Sequence, residues 1–274
     1  MIKSIHATTK EPFSRSNLTL LRQQKEIYDI IKIHSQQGGF SVIIGEPGVG
    51  KSVLREQIES LEKERDVTVV SCSRTLHTYW QILFQLADSF KIEASEKSLE
   101  KELIACAYNH IKERKTLYIL IDEAHLLDMQ VLRKLRLLFE RFPKKHNLVL
   151  FGQRDLLHYL SLNVNKDIKS RITYSANIKP LNDDDMERYI IKELEAVRMG
   201  INTFNESAME LIIRSAQGNL RLCRNLCYGS LIDAAREAQK IVTIAHVNSV
   251  LVQPHWRSHE ELIKQQVPQG ILSA

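Results

Sequence analysis

The chain is poor in glycine, with 10 in 274 residues, about half the usual share of ~7%. It has only four cysteines, Cys72, Cys106, Cys223 and Cys227, too few and too scattered for a disulfide scaffold. Cys223 and Cys227 are one helical turn apart without a second ligand pair nearby, so buried apolar packing is expected rather than zinc. No apolar run approaches the ~18 residues of a membrane span. Residues 1–15 lack the apolar core of a signal peptide. A cytoplasmic protein with no membrane partner is therefore expected. No solenoid repeat and no low-complexity tract is visible. What is there is ordinary for a globular protein: 43% hydrophobic and 26% charged residues, a composition that excludes wholesale disorder. The net charge of +5 permits a polyanionic partner without requiring one.

The few glycines are unevenly placed. Gly38, Gly39, Gly45, Gly48 and Gly50 fall within thirteen positions, and residues 51–151 contain none. Around this cluster the hydrophobic pattern alternates. Residues 17–36 carry a helical stripe of Leu20, Leu21, Ile27, Ile30 and Ile31, ended by Gly38-Gly39. Residues 40–44 then form a short continuous apolar run, the mark of a strand buried on both faces. Residues 67–72, 117–121 and 148–151 share that character, and 172–178 is a weaker, more polar fifth candidate nearer a sheet edge. Helical patterns over 51–63, 76–90, 98–114 and 129–142 lie between them. This alternation predicts a parallel five-stranded sheet between helices. After Pro180 only helices are expected, near 183–199, 205–216, 220–239 and 244–252. Asn182, Asn205 and Thr243 are their expected caps, with Gly200 and Gly218 as breaks. The expected organisation is an α/β domain over 1–179, a helical domain over 180–253 and a tail over 254–274.

Gly45-Glu46-Pro47-Gly48-Val49-Gly50-Lys51-Ser52 matches G-x4-G-K-[ST] between a predicted strand and a predicted helix that continues through Val53. This is the P-loop pattern. Its glycines let successive N–H groups turn inward at a helix N-terminus, where the dipole favours anions. Lys51 would reach the β/γ-phosphates of ATP, and the Ser52 hydroxyl would ligate Mg²⁺. Asp122 and Glu123 end the apolar run 117–121, 71 residues beyond Lys51. Asp122 is the second candidate metal ligand, and Glu123 the candidate general base. Together the two motifs predict a Mg²⁺-dependent NTPase, and the resemblance that follows narrows the nucleotide to ATP. Asp122-Glu123-Ala124-His125 also spells the tetrad of a helicase superfamily, but no second α/β motor unit follows it.

With these motifs in place the sequence resembles the AAA+ ATPases. Within them it resembles the ExeA/TniB/TnsC group, with MuB and IstB as more distant relatives. The resemblance spans about residues 11–252 and is carried by Pro12-Phe-Ser14, the P-loop, Ile121-Asp-Glu-Ala-His125, Leu150-Phe-Gly-Gln-Arg-Asp155, Ser170-Arg-Ile172 and Gly218-Asn-Leu-Arg221. It implies an α/β P-loop core with a small all-helical lid. It implies that Gln153 is a sensor of the γ-phosphate, the alternative being an ordinary strand-end glutamine. Arg171 falls at the position of an arginine finger for a neighbouring subunit, the alternative being a surface arginine. Arg221 falls at the position of a same-chain sensor, with Arg224 a rival one turn on. The adenine pocket is expected near residues 13–18. ExeA proteins of secretion carry a membrane span and a wall-binding region, and MuB a DNA-binding appendage, and neither is expected in these 274 residues.

The resemblance further implies homo-oligomers, as rings or helical filaments, on duplex DNA. Arg74, His77 and Lys97 are the candidate phosphate contacts, each with a solvated surface as its alternative. The basic cluster Lys144-Lys145-His146 is read as a solvated loop. The tail after Trp256 is either a docking segment or an end without function. The implied function is a regulator of DNA transposition that binds target DNA with ATP, recruits and stimulates a transposase, answers to a target-selection protein and disassembles on hydrolysis. An ExeA-like protein-assembly ATPase and a replication initiator or helicase loader are the alternatives.

Overall fold

The computed structural model describes residues 1–6, 8–13, 20–72, 78–253 and 256. The chain divides into two compact units, Thr19–Lys179, and Pro180–Ala274 together with Met1–Leu18. After a short helix α1 (Ile2–His6), the first unit runs α2 (Arg22–Ser35), β1 (Gly39–Gly45), α3 (Lys51–Glu59), β2 (Val67–Cys72), α4 (Tyr79–Ser89), α5 (Leu99–Lys112), β3 (Thr116–Ile121), α6 (Met129–Glu140), β4 (His146–Gly152), α7 (Arg154–Ser161), α8 (Lys166–Lys169) and β5 (Tyr174–Ile178).

All five strands are parallel, in the order β2-β3-β4-β1-β5. Each strand sends alternate side chains to opposite faces. Val42, Ile44, Leu117, Ile119, Ile121, Leu148 and Leu150 pack with residues of α4, α5 and α6. Ile43, Tyr118, Leu120, Val149 and Phe151 pack on the other face with Ile27 and Ile31 of α2 and Leu54 and Ile58 of α3. Burial on both faces is why these strands read as unbroken apolar runs. The more polar fifth run is indeed an edge strand, whose residues alternate between half-buried and exposed until the buried Ile178.

Three helices, α1, α7 and α8, were not anticipated. α7 and α8 are short, and α7 follows directly on the strand-ending Gly152, so periodicity had little length to act on. Two helices of this unit, α4 and α6, start at side-chain caps. Thr78 accepts from the Gln81 N–H, and Asp128 from the Gln130 N–H. Lys144 and Lys145 are exposed, as a solvated loop requires, whereas His146 opens β4 and burial lowers its pKa.

The second unit holds α9 (Asp183–Ala196), α10 (Glu206–Ala216), α11 (Leu220–Arg236) and α12 (Ile244–Leu251). Asn182 caps the Asp185 N–H at 2.7 Å and Asn205 the Ala208 N–H at 2.9 Å. The left-handed position after α9 falls at Arg198, not at Gly200, which keeps φ at −67°. Ile2 and Phe13 are buried among Met186, Ile190, Leu194 and Phe204 of this core. The N-terminal segment therefore groups with the helical unit rather than with the α/β domain expected over 1–179. Cys223 and Cys227 are fully buried in the same core. Of the tail, only Trp256 lies among the described residues, packed against that core.

Glu193 of α9 is also buried there, 8% exposed. Burial pushes its carboxyl from 4.5 up to about 7, with Arg224 and Lys192 pulling the other way. A carboxyl raised on folding leaves stability intact below about pH 4.5 and removes it as pH climbs to about 7, by up to about 3 kcal/mol. Glu193→Gln should therefore raise the melting temperature at pH 8 and leave it nearly unchanged at pH 4.5. Paired thermal melts at the two pH values check this.

Candidate nucleotide-hydrolysis site

Strand order places the motifs. β4 lies between β1 and β3, with Ile44 of β1 opposite Gly152 and Ile121 of β3 opposite Leu150. The carboxyl ends of the three strands are thus nearly level, where ligands of open α/β sheets bind. From this edge emerge residues 45–52 after β1, Asp122 and Glu123 after β3, and Gln153 after β4.

The loop between β1 and α3 turns at Gly48 and Gly50, with φ of 87° and 102°, a region open to glycine and strained for other residues. Val49 is buried beneath it, Glu46 and Val53 are partly covered, and Pro47 and Ser52 are exposed. Lys51 is 9% exposed, and its ammonium donates to the carbonyls of Gly45 at 2.6 Å and Glu46 at 3.0 Å. The amine is therefore held inside the loop, and the N-terminal turn of α3 carries the Ser52 hydroxyl on its exposed side. Gln24 of α2 braces the loop from below. It is 2% exposed and donates to the carbonyls of Val49 and Gly50 at 3.4 Å.

Asp122 is largely buried and anchored. Its Oδ1 accepts from the Glu123 N–H at 2.9 Å, and its Oδ2 lies 3.3 Å from Nε of Arg55. Arg55 is one turn beyond Lys51 on α3 and also donates to Glu59 at 3.0 Å. Glu123 has φ 51°, ψ 34°, a left-handed conformation. Its carboxylate is 41% exposed and lies 3.4 Å from Nδ1 of His125. The His125 Nε2 contacts Nε2 of Gln153 at 2.9 Å. Arg154, next in sequence, reaches back to Glu46 of the loop at 3.1 Å.

These groups suit Mg²⁺-ATP. The loop offers inward N–H groups and a buried cation for phosphate, and Ser52 and Asp122 offer the hard oxygen donors that Mg²⁺ takes. Sequence reasoning missed Gln24, Arg55 and Arg154. Only Arg55 left a trace, because i, i+4 spacing sets it on the Lys51 face of α3.

Other candidates lie elsewhere. Arg171 stands just before β5, at the amino end of the strands, opposite to the phosphate loop. It is 57% exposed and paired with Glu140 at 2.9 Å, and Glu140 also holds Arg136 at 3.2 Å. Arg221 is exposed in the first turn of α11, where its N–H donates to Asn219 at 3.1 Å, and Arg224 is half-buried. Lys97 is exposed beside a groove of about 500 Å³ with Trp80, Lys101 and Arg141. Arg74 and His77 lie outside the described residues, as does most of the segment 13–18 proposed for adenine. Phe13 itself is spent on the helical core, edge-on to Phe204.

A family model described as an AAA domain matches residues 33–160. The chain is 30% identical over 214 residues to General secretion pathway protein A of Aeromonas hydrophila, covering 75% of this chain and 39% of that protein. The chain thus spans about two-fifths of that relative's length. The chain is an AAA+ ATPase of the ExeA group. Solved structures share the fold of this ATPase. Cdc6p from Pyrobaculum aerophilum matches with a TM-score of 0.70 at 18% identity, covering 97% of this chain and 74% of that one. Aeropyrum pernix ORC1 in complex with DNA matches at 0.64 and 14% identity, covering 92% and 70%. At such identities the likeness is one of fold. Among the described residues no helix is long and apolar enough to cross a membrane.

Glu123→Gln in this ATPase should keep ATP binding and lose turnover by at least about 100-fold, the lower range of what a general base supplies. Lys51→Ala should lose binding itself. A fluorescent ATP analogue and a phosphate-release assay separate the two effects.

Proposed function

We propose that this ATPase is a DNA-transposition regulator. It takes up Mg²⁺-ATP, oligomerises on duplex target DNA, recruits and stimulates a transposase, and disassembles on hydrolysis. The position of Arg171 carries the reading. It stands at the opposite end of the strands from its own phosphate loop, which supports its serving the site of a second copy. Coupling nucleotide to assembly follows directly from a site split between subunits.

Bound Mg²⁺ would neutralise phosphate charge and polarise the reacting phosphoryl group. Lys51 and the loop N–H groups bind and orient the phosphates, with Val53 continuing the first turn of α3. Ser52 and Asp122 would hold the metal. Glu123 takes the proton from the attacking water, Gln153 senses the γ-phosphate, and Arg221 reaches the nucleotide from the same chain. Arg171 of a neighbouring copy offsets charge on the transferring group, worth 10³–10⁵ in comparable enzymes.

DNA contact by Arg74, His77 and Lys97 is supported by the +5 charge and by a shared fold with a protein solved on DNA. A few phosphate contacts per subunit suffice when many subunits assemble. The transposase, and a target-selection protein with it, follow from the motif resemblance. A second reading, a protein-assembly ATPase without DNA, is favoured by the 30% identity to General secretion pathway protein A.

Filter retention and electron microscopy of the protein with duplex DNA separate the two. The transposition reading expects salt-sensitive assemblies with a non-hydrolysable ATP analogue and none with ADP. No retention at low salt with the analogue would sink it in favour of the second reading. Arg171→Ala should bind ATP normally yet lose turnover by about 10³-fold, and mixing with Lys51→Ala subunits, which still carry Arg171, should restore part of it.

A further inference from the structure

His125 stands between the two residues that the site reading treats separately. Its ring is 8% exposed. Nε2 is 2.9 Å from the Gln153 amide nitrogen, and Nδ1 is 3.4 Å from Oε2 of Glu123. The close approach of its turn to β4 depends on Gly152, where an added Cβ would lie 3.3 Å from the His125 backbone nitrogen and 2.9 Å from Leu156 Cδ2.

The chemistry of the three groups fixes the ring's tautomer. An amide nitrogen only donates, so Nε2 of His125 accepts and the neutral ring carries its proton on Nδ1. That proton faces the Glu123 carboxylate. With the amide turned over, Nε2 would donate to the amide oxygen and the Nδ1 lone pair would face a negative carboxylate, a repulsive arrangement. For the neutral ring, electrostatics therefore select a directed chain in which Gln153 donates to His125 and the Nδ1 proton of His125 faces Glu123. The last link is loose. Nδ1 is buried without an aligned hydrogen bond, whereas Glu123 is 41% exposed, so the carboxylate has room to close on the ring or leave it.

We propose that His125 is a positioning residue that couples Gln153 to Glu123, setting the carboxylate's direction according to where the Gln153 amide points. The proposal rests on the reading of Glu123 as base and Gln153 as sensor. His125 touches neither phosphate nor water in it. Its part is to hold Glu123 by the Nδ1 proton while Gln153 keeps that proton on Nδ1.

The test compares steady-state ATP turnover and fluorescent-analogue binding for the full chain and its variants. His125→Phe should lower kcat about tenfold, less than the 10²–10⁴ of a general base, with KM for ATP and analogue affinity unchanged. His125→Asn keeps an N–H donor near Nδ1 and should recover kcat. His125→Gln keeps one near Nε2 instead and should not. Gln153→Ala combined with His125→Phe should lose no more than the worse single variant, the non-additivity of groups acting as a unit. Wild-type kcat in His125→Phe, equal kcat in the Asn and Gln variants, or additive losses would overturn the coupling. If His125→Phe melts early, the Asn and Gln variants at matched melting temperature decide alone. Wild-type turnover in Lys51→Ala or Glu123→Gln would instead overturn the site reading, a separate and recognisable failure.

Discussion

The nucleotide chemistry of this chain depends on one constraint, the insertion of β4 between β1 and β3. In a parallel sheet all carboxyl ends share one edge, and the hydrogen-bond register fixes how level they are. Ile44 opposite Gly152 and Leu150 opposite Ile121 set the phosphate loop, Gln153 and the Asp122-Glu123 pair in a row. A chain that returned β3 directly beside β1 would crowd the carboxylates against the loop and leave no central strand for Gln153. The deeply buried β3 and β4 make that register hard to slip, since a one-residue shift would turn every core side chain to the wrong face.

The same parallel order exports Arg171. A residue that opens β5 stands at the amino edge, a strand length from the loop that follows β1. At ~3.3 Å per residue the five residues of β5 span about 16 Å, beyond the reach of an arginine side chain. Glu140, at the end of α6, arrives at that edge because α6 returns from the carboxyl end of β3 to the amino end of β4. Glu140 and Asp167 balance the charges of Arg171 and Arg136 at that edge.

What could be read from the sequence follows burial. β1, β3 and β4 were legible because both faces are covered, and the P-loop because glycine is scarce everywhere else. Capped helices such as α9 and α10 were legible because Asn182 and Asn205 announce them. The domain assignment of the N-terminal segment was not, because Ile2 and Phe13 are single apolar residues whose partners lie almost two hundred positions away. Arg55 and His125 escaped for a related reason. Their roles come from contacts across strands, with Asp122 and with Gln153, and no local period encodes such a contact. His125 was visible as part of a tetrad, yet its meaning depends on β4 passing beside it.

The charged groups around the site differ in how firmly they are tied, and this sorts their roles. Arg55 and Asp122 are 14% and 13% exposed, where loss of Arg55 would strand the Asp122 charge at a cost of about 3–5 kcal/mol. Arg154 and Glu46 are 65% and 47% exposed, a pairing worth about 0–1 kcal/mol. The deep pair holds the Asp122 carboxylate in direction, and the shallow pair at the mouth separates at little cost. Glu123 lies between these limits, half exposed and loosely faced by His125, and that intermediate hold is what a residue must have if its direction is to change during a cycle.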